Sequence, residues 1–239
     1  MAISTVNIPA TNLFAPESIG NEEQVKKMIK QGLDNYGQYF KFASNNSKLP
    51  MEMLLAFAAV ESGIGRQVGG AGHPTRGIMQ WNRQYAKTQL ENEYKLGRMT
   101  PEEKDYLAKF NIKFDKDGKT RTITEADQMK PGLNILIGSI LLGMYADSYI
   151  EGKQDKEPWG TDENGNLRID RMIAVYNAGA YGDTGKKARF GKHKTPQELA
   201  NNVNSTTAGY IRKLLGKNGY YDYMLQPDIQ SYMIKKGYI

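Results

Sequence analysis

The chain contains no cysteine. That excludes disulfide staples and thiolate metal ligands, and it leaves the redox compartment open. Histidine is scarce as well: only His73 and His193 occur, each in loop-type sequence where a solvated imidazole is the ordinary case. No apolar run is long enough to span a bilayer. The longest, Leu133 to Tyr145, is short and contains Asn134 and Ser139. Residues Met1 to Ser18 lack a charged start followed by an apolar stretch, so no secretory signal is expected and any export would use another route. Internal repeats and low-complexity linkers are absent too.

What is present suits a globular protein. Over 239 residues, hydrophobic content is 39% and charged content 24%. The net charge of +6 favours an anionic partner: nucleic acid, a membrane face or an acidic wall polymer. The positive charge is dispersed, with small clusters at Lys186-Lys187-Ala188-Arg189 and Lys192-His193-Lys194. No nucleic-acid recognition motif accompanies it, so no nucleic-acid partner is expected.

Periodicity predicts a mainly α fold. Residues 1–21 read as an arm. Glu22 to Phe42 carries Val25, Met28, Ile29, Leu33, Tyr36 and Phe40 at helical spacing. Met51 to Ser62 is apolar on every side apart from Glu52, Glu61 and Ser62, as in a helix surrounded by protein. Pro50 suits its first position and Gly63 its left-handed C-cap. Arg83 to Gly97 reads as a polar helix. Thr100-Pro101-Glu102-Glu103 and Thr195-Pro196-Gln197-Glu198 are capping boxes that open further helices. Gly132 to Asp147 is a second strongly apolar helix, Ile169 to Tyr176 a third periodic segment, and a last one runs through Tyr210, Ile211 and Leu214. Ile112 to Ile123 alternates around Asp117-Gly118 and predicts a β-hairpin. Asp162 to Asn166 predicts a turn. The body of the fold is therefore expected over 22–216, with a C-terminal tail over 217–239.

The glycine-rich run Gly63 to Gly77 lets backbone approach something closely, but it lacks both the Gly-Lys-Ser/Thr of a phosphate loop and a preceding strand. Asp115, Asp117 and Gly118 do not match a calcium loop either, because the glycine comes too early and the distal Glu is misplaced. No cofactor and no metal are expected. Glu61 is the chemically interesting group. A carboxyl at the mouth of an apolar core has its charged form disfavoured by burial, so it can hold a proton near neutral pH and deliver it to a leaving group. The competing reading is a helix-end Glu turned outward into water.

Four short pieces occur in order: Glu61-Ser62, Gly77-Ile78-Met79-Gln80, Asn134 with Gly138, and Ala174-Val175-Tyr176-Asn177-Ala178-Gly179. Together they resemble the soluble-lytic-transglycosylase catalytic domain of glycoside hydrolase family 23, a lysozyme-like helical fold. The likeness spans roughly Leu49 to Leu215, and Thr207 to Arg212 looks like the family's closing segment. Against the family pattern, Ile78 replaces Leu, Thr206 stands where a Glu is usual, and the 83–130 stretch is a long insertion. Ala180-Tyr181-Gly182-Asp183 follows the fourth piece and could reshape one end of the groove.

The resemblance implies cleavage of peptidoglycan between N-acetylmuramic acid and N-acetylglucosamine by a single carboxyl. Ordinary glycosidases use two carboxyls. Here Glu61 would act as acid and then as base, leaving a 1,6-anhydromuramyl end. Met79 and Gln80 would line the groove, Tyr176 would orient Glu61, and Asn177 would bind substrate or fix its turn. Ser62 would bond sugar or cap its helix, while Asn134 reads as a structural residue holding loop backbone. Two alternatives stand beside this. One is a hydrolytic lysozyme with Asp170 or Asp183 as second carboxylate; the other is a non-catalytic wall-binding virion protein. The expected partners are glycan strands and, in a phage setting, other virion or tail proteins. The expected place of action is the bacterial wall, reached from a virion or at lysis after synthesis in the host cytoplasm.

Overall fold

The computed structural model describes residues 17–47, 49–147, 168–178, 193 and 195–239. Most of the arm (1–16), the Asp162–Asn166 turn, Gly179 to Asp183 and the lysine clusters around 186–189 and 192–194 lie outside the described residues, His193 excepted. By its contacts the chain divides into two compact units, Lys26–Leu141 with Pro227–Ile239, and Met1–Val25 with Leu142–Gln226.

In the unit built on Lys26–Leu141, helix α1 (Glu22–Asn46) buries Met28, Ile29, Leu33 and Phe40 of the stripe read from its spacing, leaves Tyr36 half-buried and adds Ala43. Helix α2 (Met51–Ser62) is buried almost throughout, and Pro50 stands just outside it as the N-cap, with extended backbone. Residues 227–239, expected as a tail, carry helix α11 (Pro227–Lys235), which lies on α1. Asp228 pairs with Lys26 and Lys30, the Tyr232 hydroxyl donates to Asp34, and the Tyr238 hydroxyl donates to the Leu33 carbonyl. Gly37 is required there, because a Cβ would run into the Tyr238 ring.

The 83–130 segment forms α3 (Arg83–Lys95), α4 (Pro101–Ala108) and α5 (Glu125–Gln128), followed by α6 (Pro131–Asp147). Thr100 and Thr124 each head a reciprocal capping box. The expected hairpin over Ile112–Ile123 does not form. Asp115 accepts from the Asp117 and Lys119 amides and so closes an isolated Asx turn, while the Thr120 amide bonds the Glu91 side chain instead of a partner strand. The antiparallel pair lies elsewhere: β1 (Thr75–Arg76) pairs with β2 (Trp81–Asn82), Thr75 opposite Asn82 and Arg76 opposite Trp81.

Buried carboxylates in this segment differ in kind. Burial opposes the charge on Glu91, yet Lys87, the Thr120 N–H and Lys119 outweigh it and lower the pKa to about 2. Asp127 is likewise opposed by burial and held well below the carboxylate range by Arg121, Thr124 and Lys130. Glu103 goes the other way: burial pushes it up to about 7, helped by Glu93 and Glu102 and resisted by Thr100. Between the unfolded value of about 4.3 and the folded value, the folded state binds the extra proton. Stability from Glu103 is therefore present at low pH and lost as pH rises towards 7. Glu103→Gln keeps an acceptor for the Thr100 amide and removes this dependence. Urea unfolding at pH 5 and 7.5 should show the variant stabilised at the higher pH by up to about 3 kcal/mol relative to wild type.

In the unit containing Leu142–Gln226, α7 (Ile169–Ala178), α8 (Pro196–Asn202), α9 (Ser205–Leu215) and α10 (Tyr220–Met224) follow one another. Helices α7 and α9 pack together, and both bury residues that the periodicity marked, among them Ile169, Met172, Ile173, Ile211 and Leu214. Thr195 caps α8 through a capping box and Asn204 caps α9.

Candidate active site

The last turn of α2 carries Glu61, half-buried, at the end of a helix whose Met53 to Ala58 are fully buried. The chain then reverses through three consecutive left-handed residues: Gly63 (φ 59°), Ile64 (φ 53°) and Gly65 (φ 87°). The Gly63 and Ile64 amides close back on the Ala59 and Ala58 carbonyls. A β-branched residue in this region is strained, and Ile64 is held there by burial against Gly32 of α1.

Ser62 is 2% exposed, with its hydroxyl used inside the protein. It donates to the Ile78 carbonyl at 2.7 Å and accepts from the Gly65 amide at 2.8 Å. The helix end is thereby tied to Gly77-Ile78-Met79-Gln80, which forms the turn between β1 and β2. Gly77 has φ 86°, and a Cβ there would collide with the Asn134 side chain and the Gln128 carbonyl. Gln80 is left-handed as well, at φ 49°, a second strained non-glycine residue in the same neighbourhood.

Asn134, fully buried on α6, holds this turn from beneath. Its Oδ1 accepts from the Met79 amide at 2.7 Å, and its Nδ2 donates to the Gln128 and Arg76 carbonyls at 2.9 and 3.1 Å. Met79 is also fully buried, with its side chain against Gly138; an added Cβ at that glycine would lie 2.6 Å from the Met79 Cβ. Gln80 is half-exposed, and its Nε2 donates to the Gly77 and Gln67 carbonyls at 2.7 and 3.2 Å. The amide nitrogen is thus occupied in closing the base of the glycine-rich loop, and its oxygen is the atom suited to accept from a ligand.

Two contributors were not anticipated. Trp81 Nε1 donates to the Asn134 backbone carbonyl at 2.8 Å, and Gln128 Nε2 donates to the Trp81 carbonyl at 2.7 Å. Trp81 directly follows the Gly-Ile-Met-Gln piece and could have been suspected on adjacency; nothing in the sequence singles out Gln128. Beside the Gly63–Arg66 turn opens a cavity of about 450 Å³, lined on α1 by Gln31, Asn35 and Tyr36 among others.

Tyr176 and Asn177 belong to the unit containing Leu142–Gln226. On α7, Tyr176 is half-buried, and Asn177 is exposed and accepts the Thr207 hydroxyl at 3.1 Å. Asp170 is fully buried and gripped by Arg168 through both carboxylate oxygens, at 2.8 and 2.6 Å. Asp183 lies outside the described residues.

Chemically, the Lys26–Leu141 unit presents a half-buried carboxyl at a rigid helix end, fixed to a strained turn bearing a side-chain amide. Such an arrangement can transfer a proton and orient a polar, amide-bearing ligand. Set against models of known protein families and against curated proteins, the chain matches none of them.

Proposed function

We propose that the chain is a peptidoglycan lytic transglycosylase that cleaves the β-1,4 bond between N-acetylmuramic acid and N-acetylglucosamine. The supporting likeness rests on four short pieces of sequence. The observation that carries the reading is that three of them converge in one network: Ser62 bonds Ile78, Met79 bonds Asn134, and Met79 packs on Gly138. This network ties the helix end that carries Glu61 to the turn that carries Gln80.

In this reading Glu61 gives its proton to the glycosidic oxygen as the bond to the muramyl C1 breaks, with the substrate's N-acetyl group assisting. The resulting carboxylate then removes the proton from the muramyl 6-hydroxyl, whose oxygen bonds C1. The anhydro ring closes, no water is consumed, and Glu61 ends protonated for the next cycle. Gln80 accepts from a sugar or acetamido donor through its oxygen. Met79 and Ser62 fix the turn and the helix end. The Arg168 grip counts against Asp170 as the second carboxylate of a hydrolase, since a buried, doubly paired carboxylate is poorly placed to activate water. The setting that suits such an enzyme is a phage, acting on the bacterial wall from the virion or at lysis.

Product analysis is the test. Purified peptidoglycan digested with the protein should yield muropeptides lighter by one water than reducing-end products, as seen by mass spectrometry. Reducing ends would mean a lysozyme; no fragments from folded protein would mean a non-catalytic wall-binding role.

A further inference from the structure

The loop running from Gly69 to Pro74 is exposed throughout, and a Cβ added at Gly70 or Gly72 would meet nothing within 4 Å. So little packing leaves a segment with low intrinsic stability, whose shape depends on the few polar bonds that hold it. Gln80 closes its base. Its tip is held from the 83–130 segment. Glu125 accepts from the Gly72 amide at 3.2 Å and forms an ion pair with Arg76, which in turn donates to the Gly69 carbonyl at 3.2 Å. Gln128 donates to the Pro74 carbonyl, also at 3.2 Å. Glu125 and Gln128 are the two ends of α5, a single turn that could not stand alone. Its place is fixed by the Thr124–Asp127 capping box and by Arg121 and Lys130 on Asp127.

We infer that α5 is a latch on the glycine-rich loop and that Glu125 is a positioning residue acting through that loop on the Gln80 turn. The inserted segment thereby sets how tightly the site holds a glycan strand without touching the bond that breaks. This role rests on the transglycosylase reading; the latch itself does not. Arg76 and Gln80 flank the three residues Gly77 to Met79, so slack in the loop reaches the Gln80 amide directly.

The test compares full-length wild type with Glu125→Ala and the conservative Glu125→Gln. Loss of the Gly72 acceptor and the Arg76 partner should speed hydrogen exchange of the 69–74 amides about 10-fold in Glu125→Ala, with α2 amides unchanged. Glu125→Gln, which retains an acceptor, should fall between the two. On soluble glycan fragments the Ala variant should need about 5- to 10-fold more substrate for half-maximal rate, with the saturated rate within about 2-fold of wild type, the pattern of lost binding rather than lost chemistry. Unchanged exchange at 69–74 overturns the latch. Faster exchange with unchanged half-saturation, or a fall confined to the saturated rate, overturns the positioning role. An inactive wild type overturns the transglycosylase reading and, with it, the positioning role, while the exchange comparison still decides the latch.

Discussion

Glu61→Gln should abolish release of anhydromuramyl fragments while leaving the fold intact. The substitution is isosteric, keeps two polar atoms at the end of α2, and disturbs neither the Ser62 hydroxyl nor the left-handed turn after it. What it removes is the ionisable carboxyl that the proposed route uses first as acid and then as base. A positioned acid or base commonly contributes about 10²- to 10⁴-fold, and here one group serves both the protonation and the ring closure. The loss should therefore lie at the upper end, about 10³-fold or more. Initial rates of fragment release by mass spectrometry, with thermal unfolding measured in parallel, give the answer. A variant that keeps a tenth of the wild-type rate would remove Glu61 from the mechanism. A variant that loses activity together with several degrees of stability would show that the residue matters to the helix end instead.

Much of the fold was readable because it follows from local rules. The Thr100 and Thr195 capping boxes form with both reciprocal bonds, and Gly63 takes the left-handed cap expected of a glycine just past an apolar helix. The α1 stripe reads correctly because one face of that helix is buried in a simple 3.6-residue period. The hairpin was misplaced because alternation is a weak guide in a stretch with Asp115, Lys116 and Asp117 at its centre, where a side-chain turn competes with strand pairing. The strands that do pair are only two residues each, too short for any period to be visible. The role of 227–239 was hidden for a different reason: Tyr232, Lys236 and Tyr238 meet partners on α1 roughly 200 positions away, and such pairings leave no local signature. At the site, Asn134 was legible as a backbone holder. Ser62 was open between two roles, and its buried hydroxyl bonded to Ile78 is the helix-end arrangement.

Asn134→Ala should be the most destabilising single change at the site. One fully buried amide satisfies the Met79 N–H and the Arg76 and Gln128 carbonyls, three backbone groups that no water can easily reach. Truncation leaves all three without that partner and opens a void, and each orphaned group costs about 1–3 kcal/mol. Partial relaxation limits the total to about 3–5 kcal/mol, or roughly 10 °C in melting temperature for a protein of this size. Asn134→Asp separates hydrogen bonding from volume. A carboxylate can still accept from the Met79 amide but must face two carbonyl oxygens, so this variant should regain stability as pH falls and the carboxyl becomes able to donate to one of them. Calorimetry at pH 4.5 and 7.5 distinguishes the cases: the Asp-minus-Ala difference should widen at the lower pH. Equal behaviour of the two variants at both pH values would mean that the turn is held by packing and not by the amide. The contrast with Glu61→Gln is then direct, because the helix end that carries Glu61 and the turn that Asn134 holds are joined by the Ser62–Ile78 bond. Removing the proton should cost rate without stability, and removing the support should cost stability first and rate through it.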